Sequence, residues 1–209
     1  MWGMTALSTE DGLYGLSGGG DGCCSVVAWD LVAGTSVGEP LTGHQDGVSG
    51  VALAVVDGRL LGLSGGHDHD VRVWDVHAGA ALGETWRLPS QVRAVGVARV
   101  DGRPTVFAGG DFPGIHPRDL RTGAEHEPLP VGARYTSTIH VVAHDGRDVL
   151  IHDGRERDDV VSFLYTDGSP AARPLAGAGL VVLGAGAVDG RVVLVTGRDE
   201  EIQAWHPFA

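Results

Sequence analysis

The sequence is short of cysteine and of aromatic side chains. Its 209 residues include only two cysteines, Cys23 and Cys24, which are adjacent, and aromatic residues make up 6% of the chain. Adjacent cysteines rarely bridge each other without strain, so a disulfide framework is not predicted. This cysteine usage fits a reducing compartment, and we expect a cytoplasmic protein.

Positive charge and long apolar runs are also scarce. There are 15 Lys and Arg against 27 Asp and Glu, and the formal net charge is −12. Binding to nucleic acid requires a basic surface, so neither nucleic acid nor an anionic membrane is an expected partner. No apolar run approaches the roughly 20 residues of a membrane span, and the first residues lack the features of a signal peptide.

Glycine is abundant instead, with 34 residues, more than twice the usual share of roughly 7%. The glycines separate short apolar runs, and no segment has the pattern of a helix of useful length. Because glycine tolerates the positive φ of tight turns, the composition predicts many short strands joined by turns. The expected fold class is all-β.

The dipeptide Asp-Gly recurs at a nearly constant interval along the chain. The intervals are 46, 44, 44 and 44 residues, starting from Asp11, Asp57, Asp101, Asp145 and Asp189. A period in the forties is typical of propeller repeats, in which each unit depends on its neighbours for burial. We therefore predict one domain over residues 1–209, with repeats at roughly 1–43, 44–88, 89–132, 133–177 and 178–209.

The second repeat shows the plan of one unit. Apolar or alternating segments at 48–56, 60–64, 71–75 and 81–86 predict four antiparallel strands, and Asp57-Gly58 is a strong hairpin signal. Four meandering strands form one propeller blade. The third repeat is predicted to have an irregular third strand at 114–120 and a fourth at 124–129. The fifth repeat ends after its third strand, so its blade is predicted to lack the outer one.

Several segments carry a family resemblance. Leu41-Thr-Gly-His44, Leu63-Ser-Gly-Gly-His-Asp68 and Val71-Arg-Val-Trp-Asp75 resemble the Gly-His and Trp-Asp pattern of WD-repeat β-propellers, and the Asp-Gly-Arg turns resemble bacterial, actinobacterial members. The five repeats and this resemblance together predict a β-propeller of about five WD-like blades. Because seven blades are usual in that family, the chain is interpreted as a C-terminal fragment of a longer propeller. The alternative is a small propeller that is open or self-associates through unpaired blade edges.

The resemblance also implies a buried hydrogen-bond set of His, Ser or Thr, Asp and Trp within a blade. By position, the second repeat supplies all four members and the fifth supplies three; these residues are His44, Ser64, Asp68 and Trp74, and Thr196, Asp199 and Trp205. Such polar residues can be buried cheaply only if they satisfy one another.

Two histidine groups are candidate metal ligands. One is the run His67-Asp68-His69-Asp70, and the other is the trio His140, His144 and His152 on predicted paired strands. We interpret the first as a turn and the second as core or solvated histidines, so no metal or other cofactor is expected. The arginines that follow four Asp-Gly turns (Arg59, Arg103, Arg147 and Arg191) could form an arc for an acidic partner. Neutralisation by the aspartate two residues earlier is the favoured account.

The candidate functions differ in the residues that they require. The predicted inner strands at 48–56, 92–100, 137–144 and 180–188 contain no Asp or Glu, whereas propeller glycosidases need paired carboxylates there, so an enzyme is not expected. A lectin-like or small-ligand-binding propeller is the alternative, with Trp86 as a candidate exposed contact. A truncated, non-functional portion of a larger regulatory protein is less favoured. The preferred hypothesis is a non-catalytic scaffold that binds protein partners through loop residues Gln45, Asp46, His67, Gln91, Arg134, Tyr135 and Arg198.

Overall fold

A computed structural model describes residues 3–20, 24–131, 134–154, 160–176, 180–189, 191–198 and 201–208. All the regular secondary structure in these ranges is β-strand, and none of it is helical. The fold class predicted from the glycine content and the turn spacing is therefore confirmed.

Among the described residues, nineteen strands form five antiparallel sheets, each made of strands that follow one another along the chain. Such a meander is typical of a propeller blade. The fold is therefore a β-propeller with five blades. Blade 1 contains β1 (Met4–Thr9), β2 (Gly12–Gly18), β3 (Ser25–Asp30), β4 (Thr35–Ser36) and β5 (Leu41–Thr42). Blade 2 contains β6 (Val48–Val56), β7 (Arg59–Gly66), β8 (Asp70–Asp75) and β9 (Ala80–Arg87).

The other three blades contain three, four and three strands in the described residues. Blade 3 contains β10 (Val92–Val100), β11 (Arg103–Gly110) and β12 (Phe112–Asp119). Blade 4 contains β13 (Thr136–His144), β14 (Arg147–Gly154), β15 (Val160–Tyr165) and β16 (Leu175–Ala176). Blade 5 contains β17 (Val181–Val188), β18 (Arg191–Arg198) and β19 (Glu201–Trp205). In the described part of blade 5 there is no fourth strand, as predicted.

The chain divides into two compact units, Met1–Val97 and Ala98–Ala209. Within the first unit, one face of blade 1 packs on one face of blade 2. That core contains Leu16, Val26, Ala28, Val51, Leu60, Trp74 and Val76. Within the second unit, blades 4 and 5 enclose a core that contains Ile151, Val161, Phe163, Val182 and Leu194.

The Asp-Gly turns have the conformation that their sequence demands. Asp57 and Gly58 have φ of 52° and 75°, and the equivalent pairs at 101–102 and 145–146 have nearly the same values. Two consecutive positive φ angles define the type I′ turn that matches the twist of a hairpin. The flanking residues Val56 and Arg59 pair directly, so the loop contains just these two residues.

The first Asp-Gly dipeptide is offset from this pattern. In blade 1, Thr9 pairs with Gly12, so the two-residue loop is Glu10-Asp11 and the glycine belongs to β2. The Thr9 hydroxyl accepts a hydrogen bond from Asp11 N at 3.2 Å and donates one to Gly12 O at 3.1 Å. Of the five periodic Asp-Gly pairs, this is also the one that no arginine follows, so the change of turn and the change of sequence occur together.

Two predictions for the third repeat are wrong. The segment predicted to be irregular is a regular strand, β12, which pairs with β11 around a bulge near Ala108. The strand predicted at 124–129 is absent from the described structure, where only the bridges Ile115–Leu129 and Arg118–Glu125 remain. Pro128 and Pro130 bracket Leu129, and proline donates no backbone hydrogen bond, so a continuous ladder cannot form there.

Candidate functional site

Four side chains of blade 2 form one hydrogen-bonded set. His44 Nδ1 lies 2.9 Å from Asp68 Oδ2, and His44 Nε2 lies 2.8 Å from Ser64 Oγ. Trp74 Nε1 donates to the same Ser64 Oγ at 2.8 Å. His44, Ser64 and Trp74 are buried, Ser64 completely. The set thus ties the loop before β6 to strands β7 and β8.

The donors and acceptors in this set assign its protons. An ionised carboxylate only accepts, so His44 Nδ1 carries the proton and Nε2 accepts from the Ser64 hydroxyl. Burial lowers the pKa of His44 and keeps the ring neutral, although the hydrogen bond to Asp68 acts in the opposite direction. Burial raises the pKa of Asp68, but the hydrogen bonds from Gln45 N and His44 outweigh it and leave that pKa below its ordinary value.

The set also holds two loops at one end of blade 2. Asp68 Oδ2 accepts from Gln45 N at 2.8 Å, and His67 N donates to Gly47 O at 2.8 Å. Gln45 and Asp46 are exposed and His67 is half-buried. We call Gln45, Asp46 and His67 the blade 2 platform. Its backbone is held by the hydrogen bonds that Gln45 N and His67 N donate, while its polar side chains are exposed or half-buried.

Ser64, His44 and Asp68 have the connectivity of a hydrolase triad, and residues 62–66 also match the Gly-x-Ser-x-Gly pattern of a nucleophile elbow. An elbow serine sits on a strained turn between a strand and a helix. Ser64 instead lies within β7, paired with Val51 and Arg72. It has no exposed surface, and its hydroxyl is shared by His44 and Trp74. A substrate cannot reach Ser64 in the folded blade.

The same tryptophan–hydroxyl hydrogen bond recurs in blades 1 and 5. Trp29 Nε1 donates to Ser17 Oγ at 2.9 Å, and Trp205 Nε1 donates to Thr196 Oγ1 at 2.8 Å. Asp199, the third residue predicted for the fifth repeat, lies outside the described residues. Because this hydrogen bond recurs, the residues of blades 1, 2 and 5 can be matched position by position.

Blade 4 replaces this arrangement with different chemistry. His152 pairs with Ile139 as Ser64 pairs with Val51, and Leu164 pairs with Leu150 as Trp74 pairs with Gly62. His152 is buried, and neither ring nitrogen makes a hydrogen bond with the described residues. Burial lowers its pKa to about 4. The sequence identified His152 as a candidate metal ligand or a core histidine, but it did not place this residue at the serine position of the blade.

The other predicted partner-binding residues belong to other loops and strand ends. Gln91 is half-buried, and its Oε1 accepts from Arg93 Nη2 at 3.3 Å. In the second unit, Arg134 is exposed and Tyr135 is half-buried at the start of blade 4. Arg198 ends β18, and its side chain is not among those described. The structure therefore brings together Gln45, Asp46 and His67.

The histidine trio does not converge. His140 pairs with Ile151 and His152 pairs with Ile139, so these two side chains point to opposite faces of the sheet. His144 stacks on Phe208 with ring centroids 4.0 Å apart. In the 67–70 run, Asp68 serves the buried set and Asp70 pairs with Arg72 and Arg87. Among the described residues, no three His, Cys, Asp or Glu side chains are grouped to hold a metal.

Trp86 was expected to present an exposed ring, and that expectation is wrong. Its side chain is buried, because β9 pairs Trp86 with Val71 and turns the ring inward. Two of the four Asp-Gly-Arg arginines have partners at or just after the end of the third strand of their blade. Arg59 lies 3.9 Å from Asp75, and Arg147 lies 3.0 Å from Asp167 and over the Tyr165 ring. These contacts add a source of neutralisation beyond the turn aspartates.

A comparison of the sequence with protein-family models finds no match, and a comparison with curated proteins finds none either. No helix in the described residues is long and apolar enough to cross a membrane. The site is accordingly interpreted from its own geometry.

Proposed function

We propose that this protein is a non-catalytic scaffold of the WD-repeat type that binds a protein partner at the blade 2 platform. The observation that carries the proposal is the coupling of a buried polar set to exposed loop residues through Asp68, which binds both His44 and Gln45 N. A rigid backbone lowers the entropy that a binding loop loses on association. Propeller blades commonly offer such loop ends as binding surfaces.

The chemistry of the platform favours a polar protein surface. Gln45 offers an amide donor and acceptor, Asp46 offers a carboxylate, and His67 offers an imidazole. The platform carries no aromatic side chain on which a sugar ring could stack, so it does not favour the lectin alternative. The inaccessibility of Ser64 supports the non-catalytic part of the proposal.

Site-directed photo-crosslinking in cells of the source organism tests this function. A photoreactive residue replaces Gln45 in one variant and Arg59 in a control. Arg59 is exposed and lies at the opposite end of the same strand as the platform loop. We expect proteins captured from position 45 that are not captured from position 59, and we expect their capture to fall at least tenfold when Asp46→Arg is added. Equal capture from the two positions, or capture unaffected by Asp46→Arg, overturns the proposal.

A further inference from the structure

Blade 3 contains a cleft that shares no residue with the blade 2 platform. The cleft has a volume of about 320 Å³ and lies between the hairpin turn that follows β10 and the turn that follows β12. Apart from one glycine, all the residues that line it are polar or charged; they are Asp101, Gly102, Arg103, Asp119, Arg121 and Thr122. Its volume is at the lower end of the range for small-molecule sites, so the cleft suits a small polar ligand.

The equivalent place in blades 2 and 4 is occupied by an ion pair. Arg59 and Arg147 follow the Asp-Gly turns of those blades, as Arg103 does in blade 3. In blade 4, Arg147 Nη2 lies 3.0 Å from Asp167 Oδ2, two residues after the end of β15. In blade 2, Arg59 Nη1 lies 3.9 Å from Asp75 Oδ2, at the end of β8. In both blades the chain itself therefore supplies a carboxylate to the arginine.

Blade 3 does not supply that carboxylate in the same way. Asp119 ends β12, but it is buried, and its Oδ1 accepts hydrogen bonds from Arg121 N at 2.8 Å and Thr122 N at 2.9 Å. The Arg103 side chain forms no hydrogen bond or ion pair with the described residues, and Asp119 attracts it only at longer range. Two residues after the strand, where blade 4 has Asp167, blade 3 has Arg121. A second guanidinium thus replaces the carboxylate.

The charges around the cleft favour an anion. Arg103 and Arg121 are both exposed and line the same cavity, and among the lining residues Asp101 has the only exposed carboxylate. Arg99 lies at the same hairpin turn, since its Nη1 donates to Gly102 O at 3.3 Å. Two guanidinium groups that share a cavity repel each other unless an anion lies between them. Guanidinium binds the oxygens of carboxylate and phosphate through paired N–H donors.

We propose that this cleft binds a small oxyanion, which is the carboxylate or phosphate group of a small molecule, between Arg103 and Arg121. The oxygens of the ligand would stand beside Arg103 as the Asp167 carboxylate stands beside Arg147 in blade 4. The site does not depend on the proposed scaffold function, because it uses none of the platform residues.

Amide NMR spectra of the isotope-labelled full chain test the site. Inorganic phosphate and succinate are titrated separately at constant ionic strength, with chloride as the reference anion. We expect saturable shifts of the amide signals of Gly102, Arg103, Arg121 and Thr122 with at least one probe, at a dissociation constant of about 1 mM or tighter. A response to phosphate alone assigns a phosphate-bearing ligand, and a response to succinate alone assigns a carboxylate; either result supports the proposal.

Three variants test the role of the arginines. Arg103→Gln removes the guanidinium from the cleft, and Arg59→Gln removes the paired arginine of blade 2 as the matched control. We expect the affinity to fall by at least about tenfold in Arg103→Gln, because hydrogen bonds to a charged group are lost, and to stay unchanged in Arg59→Gln. Arg121→Asp copies the arrangement of blade 4 and should abolish binding.

Four results would each overturn the proposal. They are the absence of a saturable shift with both probes, shifts centred on another turn, equal loss of affinity in Arg103→Gln and Arg59→Gln, and binding that survives Arg121→Asp or Arg103→Gln. The amide spectrum of each variant also shows whether it folds, and Arg103→Ser takes the place of an Arg103→Gln variant that does not.

Discussion

Removing the Ser64 hydroxyl should destabilise blade 2 far more than the same change destabilises blade 1. In Ser64→Ala, the Trp74 indole N–H loses its acceptor and His44 Nε2 loses its donor, and both groups are buried. An unsatisfied buried polar group costs about 1–3 kcal/mol. Two such groups predict a loss of about 2–6 kcal/mol from the free energy of unfolding.

Ser17→Ala is the matched control, because Ser17 accepts the same indole hydrogen bond in blade 1. Trp29 is 38% exposed, whereas Trp74 is 2% exposed. Water can therefore take the place of the lost hydroxyl beside Trp29, and the expected cost is below about 1 kcal/mol. The difference between the two variants therefore measures the burial of the indole hydrogen bond together with the additional hydrogen bond from Ser64 to His44.

Urea denaturation gives the overall loss of stability, and hydrogen exchange followed by mass spectrometry locates it. Exchange is the sharper measurement, because a repeat protein can open blade by blade. We expect Ser64→Ala to speed exchange in the 43–47 loop, where Gln45 N is held by Asp68, and in β7 and β8. A Ser64→Ala variant no less stable than Ser17→Ala would refute the idea that the set is a source of stability.

The other predictions concern pH and turn geometry. Burial lowers the pKa of His152 from 6.5 to about 4, so the unfolded chain takes up this proton at higher pH, and stability should be lost as pH falls from about 6.5 towards 4. At about 1.4 kcal/mol per pKa unit, His152 accounts for about 3 kcal/mol, and urea titrations of His152→Leu should show that much less dependence on pH. Gly58→Ala should cost about 1 kcal/mol in the same assay, because φ is 75° and no atom lies near the added methyl group; an unchanged midpoint would contradict a type I′ requirement.

Much of the fold could be predicted because its signals are local. Asp-Gly predicts the two positive φ angles of the turns at 57–58, 101–102 and 145–146, and alternating β-branched segments define strands such as β8. The strand predicted near Leu129 does not form, and the reason is physical. Its apolar residues suggested a strand, but the flanking prolines remove the backbone donors that a ladder needs.

The site was harder to predict because its members are distant in sequence. The resemblance placed His44, Ser64, Asp68 and Trp74 in one set, but the binding of Asp68 to Gln45 N depends on how two loops meet. The inward orientation of Trp86 follows from pairing with Val71 in β8. Residue type alone does not encode register, so neither feature had a sequence signal.

Blades 2 and 4 both bury polar side chains, but they satisfy the hydrogen bonds of those side chains to different extents. This difference affects which blade can present a binding loop of defined shape. In blade 2, each buried polar atom of the set has a partner, and Asp68 extends the network to the surface at Gln45. In blade 4, Asp153 Oδ1 binds Ser137 N and Thr138 N, while His152 makes no hydrogen bond with the described residues. A satisfied network makes one conformation preferred. The loop above blade 2 is consequently held in a defined shape, which is the property that a scaffold needs at its point of contact.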